Sequence, residues 1–174
     1  HGARTLLLLL TALATALACQ HLRPRDAIWD SIQLLRDMAP TPAQPCHHHQ
    51  VTFRFLDTLL TNSHPQQAGV TALRMLQHLF AIFSSSSIPQ QWDTQLRHQL
   101  LNNLHHYIHH LEQCLPANEL LFQRQGPRNL LLATNTYFAD IQGFLRTHNH
   151  STCAWDRVLL QAGACLRRVA TLIK

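Results

Sequence analysis

The sequence predicts an all-α fold, one bundle of five helices connected up-up-down-down by long crossover loops. Three observations lead there. Hydrophobic residues make up 46% of the 174 residues while only 5 are Gly. Leu, Gln, Arg and His are plentiful, and Val and Ile are scarce, a balance that favours helices over strands. Apolar residues also recur at three- and four-residue steps over five long stretches. Each stretch can bury its single apolar face only against the others. Finally, the connections after the first helix and between the third and fourth are long. That is expected where consecutive helices run parallel and the chain must travel back along the bundle. The length suits one domain with a sizeable core.

The opening "HGARTLLLLLTALATALAC" carries one cation, Arg4, before an apolar run from Thr5 to Ala18. That run is near the upper end for a signal-peptide core and short of the roughly 20 residues that span a bilayer. Ala16, Leu17 and Ala18 form an A-x-A cleavage pattern before Cys19. Residues 1–18 are therefore expected to be a removed secretory signal, and 19–174 the single helical domain. The chain starts with His, so the N-terminus is expected to be incomplete. A buried N-terminal helix fits less well, because leucines all round leave no polar face. A lipoprotein signal would place the leucine one position earlier than Leu17.

Residues 24–38 place Ile28, Ile32, Leu35 and Met38 at helical spacing, with Pro24 in the first turn and Asp26 complementing the dipole. Pro40, Pro42 and Pro45 end this helix and begin the first long connection. That connection holds Cys46 and His47–His49, with a short helical piece expected from Phe53 to Leu60. The second helix, 66–83, aligns Val70, Leu73, Leu76 and Phe80. "SSSSIPQ" closes it, and Ser87 with Gln90 resembles a capping box opening a third helix over 89–115. Its stripe is Trp92, Leu96, Leu100, Leu104, Ile108 and Leu111, and Cys114 stands at its end. After "PANELLFQRQGP" comes a helix near 127–146, with Leu130, Thr134, Tyr137, Ile141 and Phe144 on one face. The last helix, 152–173, points Trp155, Val158, Ala162, Leu166, Val169 and Ile173 one way.

There are five cysteines: Cys19, Cys46, Cys114, Cys153 and Cys165. In an oxidising compartment, widely separated cysteines read as disulfides. An odd number leaves one over, and Cys165 lies on a core stripe, so it is the expected free thiol. The other four allow three pairings, and sequence spacing does not choose among them. No C-x-x-C pair offers a zinc knuckle.

The net charge is +5, and loss of Arg4 with the signal leaves 13 − 9 = +4. Only Arg167 and Arg168 adjoin, so no clustered cations point to nucleic acid. Among 14 histidines, His105, His106, His109 and His110 make two i,i+4 pairs on the third helix. Such pairs can chelate a metal, which makes a helical-bundle metal-binding protein or metalloenzyme the rival reading. A di-metal bundle needs about four inward-facing acids and Glu-x-x-His motifs. This chain has nine acids and no such motif. His47–His49 resembles a metal-binding tract without a partner. No Gly-rich phosphate loop or G-x-S-x-G occurs, and the expectation is no enzyme, no cofactor and no metal.

One segment carries more. Tyr137, Phe138, Asp140, Ile141, Phe144 and Leu145 are followed, after seven residues, by Cys153, Ala154 and Trp155. This resembles the type I interferon signature at every position. "CQHLRPRDAIWDSIQLLRDMAPTPAQPC" and "HHLEQCLP" resemble the alpha-type interferons of birds in particular, and the resemblance covers residues 19–170. It implies a long-chain helical cytokine bundle with two disulfides, Cys19–Cys114 and Cys46–Cys153. It also implies a secreted antiviral cytokine, acting as a monomer, that bridges two different receptor chains whose kinases then switch on antiviral genes. No nucleic acid and no membrane insertion are implied. One receptor chain would contact the first helix, first long loop and last helix. The other would contact the second, third and fourth helices on the opposite side. On that basis Arg36, His49, Gln50, Leu159, Leu160 and Arg167 are candidate receptor contacts. The chain departs from the mammalian pattern where Gln50 and Leu159 replace arginines, and where Gly163 and Ala164 replace longer side chains. An apolar anchor beside an arginine is hot-spot chemistry, although Leu159 could equally widen the core stripe. Asn149, His150 and Ser151 form an N-x-S sequon, where glycosylation is expected.

Overall fold

A computed structural model of the chain describes residues 2–10, 24–40, 46, 53–55, 65–115 and 128–173. The helices of the bundle are α1 (Pro24–Met38), α2 (Pro65–Phe83), α3 (Thr94–Cys114), α4 (Arg128–Thr147) and α5 (Thr152–Leu172). There is no strand among the described residues. Residues 2–10 are helical too, but Leu6–Leu10 stay 58–68% exposed and add nothing to the core. No helix among the described residues is long and apolar enough to cross a membrane.

Side-chain and backbone contacts give the helix directions. Asp93 N–H donates to Met38 O at 2.9 Å, and Asn103 Nδ2 donates to Ser31 Oγ at 3.4 Å. The start of α3 thus meets the end of α1, and the two run antiparallel. Arg97 Nε reaches Phe83 O at 2.8 Å, while Phe80 faces His105 and Gln77 faces Glu112. So α2 is antiparallel to α3 and parallel to α1. Trp155 Nε1 donates to Ser87 O, which places the start of α5 beside the end of α2. Helices α1, α2, α3 and α5 therefore run up, up, down and down. His78 of α2 stacks on Phe138, and Ile82 and Ser85 share a hollow with Leu145 and Arg146. Helix α4 is thus a fifth element that runs up beside α2 and packs on α2 and α5.

The core follows the predicted stripes. Ile28, Leu76, Leu104, Ile141 and Val158 are each at most 2% exposed. Burial of this kind is worth roughly 1.5–3 kcal/mol per large apolar side chain, against the entropy of ordering the chain. Four of the five predicted helix ranges hold to within a residue, the usual margin at frayed ends.

Three expectations change. Helix α3 starts at Thr94, capped by Asp93, whose Oδ1 accepts from Leu96 N at 3.0 Å. Ser87 instead hydrogen-bonds Ser85 and offers its carbonyl to Trp155, and Trp92 is buried ahead of the helix. The long connection between α3 and α4 joins antiparallel helices, so loop length there reflects something other than a return along the bundle. Residues 53–55 are not helical, and the rest of that predicted piece lies outside the described residues. A disulfide joins Cys46 to Cys153. Cys114 is also disulfide-bonded, and Cys19 lies outside the described residues. Cys165 is buried and takes part in no disulfide.

Candidate functional site

The antiparallel α1 and α5 leave a groove of about 420 Å³ between them. Ile32 and Leu35, both 3% exposed, close its base from α1. Their neighbours Arg36, Ala39 and Pro40 turn outward as the first wall, and Asp156, Leu159, Leu160, Gly163 and Arg167 of α5 form the other. A helix with one face in the core presents the flanking positions of its next turn to such a groove. Leu160 is 64% exposed, and Arg36 and Arg167 are exposed beside it. Neither guanidinium is paired with a carboxylate among the described residues.

The upper rim is built by the disulfide. Cys153 sits in the first turn of α5, and its bridge holds Cys46 of the first long connection there. Cys46 Sγ lies 3.5 Å from Asp156 Oδ2, and partial burial pushes the Asp156 carboxyl above its usual pKa. Ser151 caps the helix, its Oγ accepting from Ala154 N at 3.2 Å. Trp155, 0% exposed, anchors the rim through an edge contact with Trp92 at 5.3 Å and its indole bond to Ser87 O. The groove thus has a disulfide-tethered upper end, an apolar floor and two cations without a carboxylate partner among the described residues.

Of the sequence-predicted residues, Arg36, Leu159, Leu160 and Arg167 meet in this groove. His49 and Gln50 lie outside the described residues. Leu159 is partly buried against the core, so Leu160 is the apolar side chain that the fold leaves outside. Asn149 is exposed in the α4–α5 turn. The signature residues Tyr137, Phe138, Ile141, Phe144, Leu145, Ala154 and Trp155 are all at most 7% exposed. They form a packing motif, not a contact surface. Sequence reasoning missed one residue here and the role of another. Trp29, 53% exposed, stands two turns before Arg36 on the same side of α1; a tryptophan off the Ile28–Ile32–Leu35 stripe was the available signal. Gly163, at the groove floor, was marked in the sequence as a departure from the mammalian pattern but not as part of a hollow.

On α3, the His105 and His109 rings are stacked with centroids 6.4 Å apart. Among the described residues no three His, Cys, Asp or Glu side chains converge to hold a metal. His110 approaches Cys114 Sγ at 3.4 Å through Nε2, and burial lowers its pKa.

The family model described as Interferon alpha/beta domain matches residues 20–174. Interferon type B of Gallus gallus is 52% identical over 171 residues, covering 97% of this chain and 84% of that protein. An interferon of Meleagris gallopavo is 44% identical over 176 residues, covering 100% and 92%. Interferon type A1/A2 of Gallus gallus is 46% identical over 175 residues, covering 99% and 91%. Among solved structures, zebrafish interferon 2 superposes with a TM-score of 0.70 at 20% identity, over 83% of this chain and 96% of that one, a likeness of fold. Sequence, signature packing and fold agree, and the chain belongs to the interferon alpha/beta family, the type I interferon cytokines of antiviral innate immunity, with those of birds among its relatives.

Proposed function

We propose that the chain is a secreted messenger, with no catalytic step of its own, that brings two different receptor chains together. The α1–α5 groove, with Cys46 at its rim, takes the high-affinity chain together with His49 and Gln50 of the first long connection. The side presented by α2, α3 and α4 takes the other. Kinases attached to the receptors then pass the signal to antiviral genes. A rigid body holding both partners makes the second encounter effectively intramolecular, which raises local concentration without new contacts. Residues 1–18 are removed as the export signal, a second bridge links Cys19 to Cys114, and Asn149 carries a glycan. The protein acts as a monomer.

One observation carries the assignment of the first surface: Leu160 stands 64% exposed in a groove it shares with two arginines that have no carboxylate partner among the described residues. The core makes no use of this leucine, whereas a partner that desolvates it beside a guanidinium gains hot-spot energy. The test is antiviral gene induction in cells from the source animal. The refolded secreted form should induce it, and Leu160→Asp should need at least about tenfold more protein, a loss of about 1.4 kcal/mol, at an unchanged melting temperature. Full potency of that variant would remove the groove from the receptor surface.

A further inference from the structure

Gly163 lies near the middle of the 21-residue α5, where glycine is a poorer helix former than alanine. The fold does not call for it. No glycine has a positive φ among the described residues, and a Cβ at Gly163 would meet only Arg167 Nη1, at 3.9 Å. That is an ordinary contact with the movable end of a side chain. Gly69 contrasts with it, since its Cβ would come within 2.7 Å of Leu115 Cδ2 where α2 and α3 approach. What the missing side chain at Gly163 does is lower the groove floor. The hollow it leaves opens between Leu160 and Arg167 on one side and Arg36 on the other.

We infer that Gly163 is a specificity-determining residue: the hollow above it receives one apolar side chain of the high-affinity receptor chain, and Arg36 and Arg167 pair with carboxylates beside that side chain. The inference rests on the groove being the receptor surface. Charge argues for that partner chemistry. The groove walls offer two cations without carboxylate partners among the described residues. The one acid among the lining residues, Asp156, lies against Cys46 Sγ at 3.5 Å and pairs with neither arginine. An apolar knob seated between the arginines displaces water, and the lower local dielectric strengthens each arginine–carboxylate pair. A groove of about 420 Å³ falls within the size range of preformed binding hollows and readily admits a single side chain. On this surface the cytokine supplies the hole and the receptor supplies the knob.

The test measures melting temperature and the Kd for the purified extracellular domain of the source animal's high-affinity receptor chain. Wild type is compared with Gly163→Ala, Gly163→Leu and Leu160→Asp. Both glycine variants should melt as wild type does or up to about 2–4 °C higher. Binding should weaken in order of size, by at least about tenfold for Gly163→Leu. A Gly163→Leu protein that binds within about twofold of wild type at an undiminished melting temperature overturns the inference. If Leu160→Asp loses binding in the same experiment, only the hollow falls; if Leu160→Asp also binds normally, the groove is not the receptor surface at all. Should Gly163→Leu melt early, Gly163→Ala decides: weakened binding at a normal melting temperature supports the hollow, and unchanged binding overturns it.

Discussion

Tyr137 is 2% exposed, and its hydroxyl donates to Gln161 Oε1 at 2.7 Å while the Cys165 thiol reaches it at 3.5 Å. The Arg168 guanidinium lies over the rings of Phe55 and Tyr137, 4.8 and 5.9 Å from their centroids. One signature aromatic therefore ties α4 to α5 and to residues 53–55. Tyr137→Phe keeps the ring contacts and strands the Gln161 acceptor, so it should cost about 1 kcal/mol and lower the melting temperature by about 2–4 °C. An unchanged thermal melt would show that this bond contributes nothing. Tyr107 makes a pH prediction. Burial, with Asp26 and Asp30 adding to it, pushes its hydroxyl up to about 12 from 10.0. The folded chain then holds this proton longer than the unfolded chain does. Its contribution is complete below pH 10.0 and is lost as pH rises through about 12. The urea midpoint should stay level up to about pH 10.0 and fall between there and about 12, and Tyr107→Phe should reduce the fall. Parallel curves for the two proteins would refute the assignment. At this scale the apolar residues were readable from periodicity. That Leu159 leans on the core while Leu160 stands outside was not, because both lie next to the stripe and only the packing of α1 against α5 separates them.

Between α4 and α5, Asn149 and His150 both take a φ of 51°, a left-handed pair that Asn adopts with little strain. The turn is closed by His150 N–H to Leu145 O at 2.8 Å. Ser151 then serves twice, as the third residue of the sequon and as the cap of α5. The two roles are separable. Ser151→Ala should lose the glycan and about 1 kcal/mol of stability, Asn149→Gln the glycan and a smaller part of the stability because Gln fits a left-handed φ less well than Asn, and Ser151→Thr neither. The readouts are the mass of secreted protein before and after glycosidase, and the melting temperature. If Asn149→Gln leaves the mass unchanged apart from the substitution itself, no glycan was there. The start of α3 shows why local signals can mislead. Ser87 and Gln90 have the spacing of a capping box, yet the segment they occupy is committed elsewhere. Arg97 holds Phe83 O and Ser85 O, Trp155 holds Ser87 O, and Asp93 N–H reaches Met38 O. Each of those partners is distant in the chain, so the cap moved to Asp93.

Across the whole molecule, the Cys46–Cys153 bridge closes a separation of 107 residues. On the chain-entropy model such a closure is worth roughly 4–5 kcal/mol, with measured values often smaller. The double variant Cys46→Ser/Cys153→Ser should therefore melt well below the wild type. It should also bind the high-affinity receptor chain more weakly, because the rim of the groove is then untethered. A double variant with unchanged melting temperature and Kd would mean that the bridge neither stabilises the bundle nor shapes its surface. The contrast between the two effects is informative: lost stability with retained affinity would make the bridge a staple of the fold alone.

Alternation of apolar and polar residues at helical spacing depends only on neighbours along the chain. The all-helical class, the five amphipathic stretches and most of their limits were therefore determined by the sequence itself. So was the family, through a signature whose side chains turn out to be core. Helix direction, the fifth helix beside α2, the true start of α3 and the α1–α5 groove were decided only in three dimensions. Each depends on which distant backbone groups and faces meet, and hydrogen bonds such as Asp93 to Met38 or Trp155 to Ser87 leave no periodic trace in the chain that makes them.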